Sequence, residues 1–129
     1  MEGLYHVWFS TKGRKPALEG EVGEDIKRLL VEIAQRTRIQ LLEAEVVVDH
    51  AHLLVAVTGN QKLPSIMHQL KGASARVLFL RYPELKVDME HESFWQRGYG
   101  WRRIGVDEVS GVRAYIRTQR QRPLRRGAG

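Results

Sequence analysis

The sequence contains no cysteine among its 129 residues. This absence excludes disulfide bonds, zinc–thiolate sites and cysteine nucleophiles, and it fits a reducing compartment. No apolar run approaches the length of a membrane span, and the first residues lack the basic and apolar regions of a signal peptide. We therefore expect a cytoplasmic protein that has no membrane segment.

Several signatures of energy-coupled and other enzyme classes are also missing. The sequence has no Walker-type glycine-rich loop, no Gly-x-Ser-x-Gly elbow and no recognisable Asp-Asp-Glu triad. Chemistry that depends on a nucleotide cofactor is therefore not indicated.

Acidic residues are outnumbered by basic ones, 15 against 21, which gives a net charge of +6. Such an excess favours polyanionic partners, with nucleic acid first among them. The stretch 113–126 carries no acidic residue, and its basic residues are Arg113, Arg117, Arg120, Arg122, Arg125 and Arg126. Because guanidinium groups pair bidentately with phosphate, this stretch favours contact with nucleic acid over a merely solvated tail.

The pattern of apolar residues predicts an α+β protein. Strands are predicted at 4–10, 41–48 and 53–57, helices at 21–38, 63–80 and 107–122, and a pair of short strands within 94–104. This order matches a split βαβ arrangement, in which an antiparallel sheet carries two helices on one face, with an extra C-terminal helix. No linker or repeat divides the chain, so residues 1–129 are expected to form a single domain.

Two histidines, His50 and His52, lie at the start of a predicted strand. Strand alternation places both imidazoles on the same side, where two neutral rings can bind a divalent cation. A His-x-His pair alone is weak evidence, and the alternative is two rings that only form hydrogen bonds at the strand start. Asp49, which precedes the pair, is expected in a tight turn between antiparallel strands.

Tyr115 and Gln119 lie four residues apart in the last predicted helix and therefore share a face. A tyrosine hydroxyl that attacks a phosphodiester forms a phosphotyrosine bond and releases a 3′ hydroxyl, and an amide carbonyl is a suitable ligand for Mg²⁺ or Mn²⁺. The alternatives are a core aromatic for Tyr115 and a solvent-exposed amide for Gln119. Tyr99 is the main rival as a nucleophile, although it lacks a partner amide on a helix.

Five segments follow one another in a characteristic order. They read Tyr-His-Val-Trp-Phe-Ser-Thr-Lys from residue 5, Val-Asp-His-Ala-His-Leu-Leu-Val from residue 48, Leu-Lys-Gly from residue 70, Phe-Trp-Gln-Arg-Gly-Tyr-Gly from residue 94 and Tyr-Ile-Arg-Thr-Gln from residue 115. Together they resemble the single-tyrosine transposases of the insertion sequence 200/605 family, which belong to the His-hydrophobe-His endonucleases. The resemblance covers nearly the whole chain.

This resemblance implies a ferredoxin-like antiparallel sheet with helices on one face, plus a C-terminal catalytic helix. It implies Tyr115 as the nucleophile, and His50, His52 and Gln119 as ligands of Mg²⁺ or Mn²⁺. The implied protein is a DNA transposase that cleaves and rejoins single-stranded DNA through a 5′-phosphotyrosine intermediate and recognises hairpins at element ends. Such enzymes form homodimers, in which the tyrosine helix can complete the partner's active site.

Two features depart from the family pattern. Ala51 is smaller than the usual hydrophobe, although it points away from the metal side, and the chain after Gln119 is short. A related branch of chromosomal enzymes acts on short palindromic repeats, but the aromatic segment at 94–100 is closer to the insertion-sequence branch.

Basic residues along the chain are candidate phosphate contacts. They are Lys12, Arg14, Lys15, Lys71, Arg76, Arg97, Arg117 and Arg120. An alternative function is non-catalytic binding of single-stranded nucleic acid or palindromic repeats by an open sheet with aromatic side chains, in which case the His pair is incidental. A relic that keeps the motifs without the activity is a third interpretation. His6, in the first strand, is assigned a structural role.

Overall fold

A computed structural model describes residues 2–121 and has the predicted α+β architecture. Its elements are β1 (Gly3–Ser10), α1 (Gly20–Arg36), β2 (Gln40–Val47), β3 (His50–Val57), α2 (Leu63–Arg81), α3 (Glu84–Asp88), β4 (Gly100–Ile104) and α4 (Val109–Thr118). The sheet is antiparallel with the order β2-β3-β1-β4, so that β3 and β1 are its central strands. This order is that of a ferredoxin-like fold, as predicted.

Alternation along β3 separates two hydrophobic clusters on opposite faces of the sheet. Leu53 belongs to the main core, which includes the apolar residues of α1 and α2. Leu54 points the other way and belongs to a smaller cluster with Ile104 of β4 and with Val112 and Ile116 of α4. The helices α1 and α2 therefore cover one face, and the C-terminal helix α4 covers part of the other.

Ion pairs attach α4 to the edge strand β2. Arg113 Nε and Arg117 Nε each lie 3.1 Å from Oε1 of Glu43. Arg120, in the 3₁₀ turn after α4, forms an ion pair with Glu24 of α1. These contacts place the basic side chains of this region against acidic groups of the same chain.

The structure differs from several local predictions. Residues 94–104 contain one strand, β4, rather than a pair, and the preceding segment forms only an isolated bridge between Thr11 and Trp95. Gly98 has a φ of 83°, a left-handed conformation that interrupts an extended strand and that glycine adopts readily. The last helix is shorter than expected, because 3₁₀ turns flank its α-helical part on both sides. The short helix α3 was not predicted.

No helix within residues 2–121 is both long and apolar enough to cross a lipid bilayer.

The two clusters predict different consequences for two adjacent leucines, both fully buried. We expect Leu53→Ala and Leu54→Ala each to lower the free energy of unfolding by about 2–5 kcal/mol, because each leaves a cavity. Only Leu54→Ala removes a contact with α4. Urea denaturation measures the stability, and hydrogen exchange should show faster exchange in α4 for Leu54→Ala alone. Equal exchange in α4 for the two variants would contradict the separation of the clusters.

Candidate active site

The two histidines of β3 point to the face that carries α4. The register places His52 opposite Trp8 of β1 and His50 opposite Ser10. Because α4 packs over Leu54, two positions beyond His52, the His pair lies next to the helix. The strand begins at His50, earlier than predicted, so that both imidazoles belong to a paired, central strand.

A cleft of about 490 Å³ brings together the predicted nucleophile and the predicted metal ligands. Tyr115, Gln119, His50 and His52 all line it. The ring centroids of His50 and His52 are 4.9 Å apart, and those of His52 and Tyr115 are 6.0 Å apart. Tyr115 is 42% exposed, so the interpretation of this residue as a core aromatic is wrong.

The orientation of His50 is set by Asp49, which lies in the predicted turn between β2 and β3. His50 Nδ1 is 2.8 Å from Asp49 Oδ1, and Arg14 Nε is 3.3 Å from Asp49 Oδ2. Burial raises the pKa of Asp49, but the hydrogen bonds and charges of His50 and Arg14 together hold that pKa below its usual value. The ionised carboxylate accepts a hydrogen bond from Nδ1 of His50, so Nε2 is the nitrogen of that ring not engaged by Asp49.

His52 is paired with a second histidine, His6 of β1. His6 Nε2 lies 3.1 Å from His52 Nδ1, and both residues are buried. Burial, followed by the charges of His50 and His6, lowers the pKa of His52 to about 3. Burial and the charge of Arg102 also lower the pKa of His6. Both rings are therefore neutral near pH 7, as metal coordination by His52 requires.

The donor chemistry of the cleft fits a divalent cation. The imidazoles of His50 and His52 line it. Gln119 Nε2 donates to the carbonyl of Tyr115 at 3.0 Å, so that Oε1 is the amide atom suited to coordination. Residues 2–121 contain no group of three or more His, Cys, Asp and Glu side chains arranged for a metal. Gln119, which lines the same cleft, offers an amide oxygen as a third donor beside the His pair. Mixed nitrogen and oxygen donors suit Mn²⁺, and oxygen donors suit Mg²⁺.

The candidate phosphate contacts fall into three groups. Arg14 and Arg97 line the cleft beside Tyr115, whereas Arg76 is exposed on α2. Five others are engaged elsewhere: Lys12 with Glu92, Lys15 with Glu90, Lys71 with the carbonyls of Gln96 and Gly98, Arg117 with Glu43, and Arg120 with Glu24. Burial lowers the pKa of Lys71, which accords with a role in holding the aromatic segment at 94–100.

Two residues of the site were not assigned to it from the sequence. His6 was expected to be structural, and Asp49 was expected only to form a turn, yet each contacts one of the two histidines of β3. The sequence feature that could have assigned Asp49 to the site is its position directly before His50. For His6 the signal lay in the sheet register, which places β1 beside β3 and which a single sequence does not reveal.

Comparison with known proteins gives consistent matches over most of the chain. A family described as "Transposase IS200 like" matches residues 2–119. The chain is 34% identical over 115 residues to the ISDra2 transposase TnpA of Deinococcus radiodurans, covering 89% of this chain and 82% of that protein. It is 30% identical over 115 residues to the transposase for insertion sequence element IS200 of Salmonella typhimurium, and the match covers 89% of this chain and 75% of that protein.

Two solved structures share the fold. One is a Deinococcus radiodurans protein assigned as a transposase, with a TM-score of 0.75 and 31% identity, covering 93% of this chain and 92% of that one. The other is a REP-associated tyrosine transposase bound to a REP hairpin, with a TM-score of 0.65 and 12% identity. This match covers 92% of this chain and 67% of that one.

Proposed function

The chain belongs to the IS200-like transposases, and from this membership we propose that it cuts and rejoins single-stranded DNA through a 5′-phosphotyrosine bond at Tyr115. The observation that carries the proposal is the convergence of Tyr115, His50, His52 and Gln119 on one cleft. The ligand set comes from β3 and from the turn after α4, whereas the nucleophile comes from α4 itself.

In the proposed reaction, the 5′-phosphate end of the cut strand is transferred from a 3′ oxygen of DNA to the tyrosine oxygen, and then to a 3′ hydroxyl again. The hydroxyl of Tyr115 attacks phosphorus, the bond from phosphorus to the 3′ oxygen breaks, and a 3′ hydroxyl leaves. The phosphotyrosine bond retains the energy of the broken bond, so that another 3′ hydroxyl can reverse the step without ATP. The exposure of Tyr115, on a helix fixed by the buried Val112 and Ile116, suits an attack on a large substrate.

His50, His52 and Gln119 are the residues that would hold Mg²⁺ or Mn²⁺. When bound, such an ion polarises a phosphate and stabilises charge on the leaving oxygen. The contribution of the chain is to fix the two rings. Asp49 holds Nδ1 of His50, and His6 Nε2 lies against Nδ1 of His52, so Nε2 of each ring is the nitrogen left to bind the ion.

The role of His6 can be tested by metal binding alone. We expect His6→Ala to weaken Mn²⁺ binding about 10- to 100-fold, the usual effect of removing the group that orients a ligating histidine. His6→Gln retains an acceptor at a similar position and should lose less. Isothermal titration calorimetry measures the affinity, and the Tm in EDTA shows whether each variant is folded. A folded His6→Ala that binds Mn²⁺ as wild type does would contradict the role.

We also propose that the substrate carries a hairpin and that the enzyme acts as a homodimer. The hairpin is supported by the REP-associated relative of similar fold, which is bound to one. Light scattering after size-exclusion chromatography measures the oligomeric state directly.

The experiment that tests the proposed function uses hairpin-bearing single strands from either flank of the coding gene. A strand labelled at its 3′ end should transfer its label to the protein in Mn²⁺, because the fragment downstream of the cut stays on the tyrosine. The same strand labelled at its 5′ end should give only a shorter free fragment. A denaturing gel separates the two outcomes. Binding of these strands without any covalent adduct would favour the non-catalytic binding protein instead.

A further inference from the structure

Tyr115 lies between two clefts. Besides the cleft that contains His50 and Gln119, a second one of about 580 Å³ opens on the other side of the phenol, toward Arg102 and Gly111. Tyr115, Trp8 and His52 line both clefts. The second cleft therefore borders the position of a phosphate that Tyr115 attacks, and its volume is large enough for a nucleotide.

Trp8 forms a fixed aromatic surface at the junction of the clefts. It lies opposite Gly100 of β4, and a Cβ added to Gly100 would be only 2.1 Å from Nε1 of the indole, so the ring lies directly on the glycine backbone. The ring of His6 packs beside it at a centroid distance of 5.1 Å. Trp8 nevertheless remains 38% exposed. A rigid, exposed aromatic ring of this kind is what nucleobases stack on in single-strand binding proteins.

Gly111 keeps the second cleft open on the helix side. It lies four residues before Tyr115 and shares its face of α4. A Cβ added to Gly111 would meet no atom within 4 Å. Packing therefore does not require glycine here, and alanine would form the helix more readily. The missing side chain leaves room for a planar group between α4 and Trp8.

Arg102 supplies the polar wall of the second cleft. It lies opposite His6 in the sheet register, and its Nη1 is 3.1 Å from Oε2 of Glu108. The other carboxylate oxygen of Glu108 accepts a hydrogen bond from the backbone of Gly105 at 2.8 Å, which holds the ion pair in place. A guanidinium offers only donors. It therefore suits guanine, with O6 and N7 as acceptors, or thymine, with O4, better than adenine, which carries an amino donor beside N7.

We propose that the second cleft is a nucleobase subsite: the base next to the scissile phosphate stacks on Trp8, with its acceptor edge toward Arg102. The proposal rests on the proposed function, because it takes the substrate of Tyr115 to be a DNA strand. It adds to the proposed function a direct contact by which the protein recognises one base of the DNA.

Two exposed tryptophans provide a matched test of stacking. Trp101 is 55% exposed, but it lies on the other face of the sheet against Tyr5, at a centroid distance of 5.8 Å. A fluorescein-labelled dT 12-mer is titrated in EDTA at low ionic strength, and anisotropy gives the Kd. Trp8→Leu should weaken binding about 5- to 100-fold, the range for loss of one base–aromatic stack, whereas Trp101→Leu should change it less than twofold. Equal effects of the two substitutions would overturn the proposal.

A second pair tests the cleft without removing any contact. Gly111→Leu fills the space beside Trp8, whereas Ala114→Leu adds the same side chain at an exposed position of the same helix. Gly111→Leu should weaken binding of the dT 12-mer at least fivefold, and Ala114→Leu should not. Circular dichroism checks that both variants are folded. If the two leucines have the same effect on binding, the cleft does not hold a base.

The base preference is tested at Arg102. Arg102→Lys keeps the charge but loses the guanidinium fork, so the ratio of dT 12-mer to dA 12-mer affinity should fall toward one. Self-stacking of the dA 12-mer affects the wild type and Arg102→Lys equally. The test is therefore the change in the affinity ratio between the two proteins. An unchanged ratio would overturn the role of Arg102. These assays contain no metal and no cleavage step, so a failure of the base subsite is distinguishable from a failure to form the covalent adduct.

Discussion

Tyr115→Phe is expected to abolish the covalent protein–DNA adduct, because the substitution removes only the oxygen that bonds to phosphorus. The ring and its contacts with the rings of His6 and His52 remain, so DNA binding and the Tm should stay close to the wild-type values. The 3′-labelled strand on a denaturing gel measures the adduct, and anisotropy measures binding. Because no other group replaces the nucleophile, the adduct should fall below detection rather than by a small factor.

Two other tyrosines serve as comparisons for this result. Tyr99 lines the same cleft, but burial raises its pKa, which makes its hydroxyl a poorer nucleophile. Tyr82 donates a 2.6 Å hydrogen bond to Asp25, remote from the cleft. Tyr82→Phe should form the adduct at the wild-type level, and Tyr99→Phe should still form it. An adduct that persists in Tyr115→Phe and disappears in Tyr99→Phe would move the nucleophile to Tyr99.

His52→Ala is expected to remove both Mn²⁺ binding and adduct formation. The ring is the more buried of the β3 pair and is neutral near pH 7, so its loss removes a ligand that a water molecule replaces poorly. We expect the Mn²⁺ affinity to fall more than 100-fold, beyond the effect of losing an orienting group. Calorimetry measures the affinity, with His68→Ala, an exposed histidine of α2, as the matched control. Full Mn²⁺ affinity in folded His52→Ala would exclude the site.

The variants Tyr115→Phe and His52→Ala, when mixed, distinguish an active site formed within one subunit from one shared between two subunits. In the structure, the ring of Tyr115 lies 6.0 Å from that of His52 in its own chain. A mixture of Tyr115→Phe and His52→Ala should therefore not regain adduct formation after the subunits exchange. Recovery of the adduct would show that the tyrosine helix of one subunit serves the histidines of the other.

The sequence predicts what depends on local periodicity. The order of elements follows from apolar spacing, and alternation places His50 and His52 on one side of β3, which the structure bears out. The spacing of Tyr115 and Gln119 likewise predicts that both reach one cleft. These features need only the geometry of a single strand or helix.

What the sequence does not predict depends on contacts between distant segments. Periodicity shows that Val112 and Ile116 share an apolar face, but not that this face packs on Leu54 rather than on the main core. The partner of His6 depends on the register of β1 and β3. The basic residues show the same limit, because Arg117 is engaged by Glu43 of a strand 74 residues away.

The small second cluster has a consequence for the dynamics of the reaction. Four buried side chains, Leu54, Ile104, Val112 and Ile116, join α4 to the sheet, while the main core lies wholly on the opposite face. The ion pairs of Arg113 and Arg117 with Glu43 join the same helix to β2. Because the apolar attachment is so small, we expect the helix to open as a unit, with a free energy below that of global unfolding. We then expect Tyr115 to undock and redock while the histidines keep their places on an intact sheet.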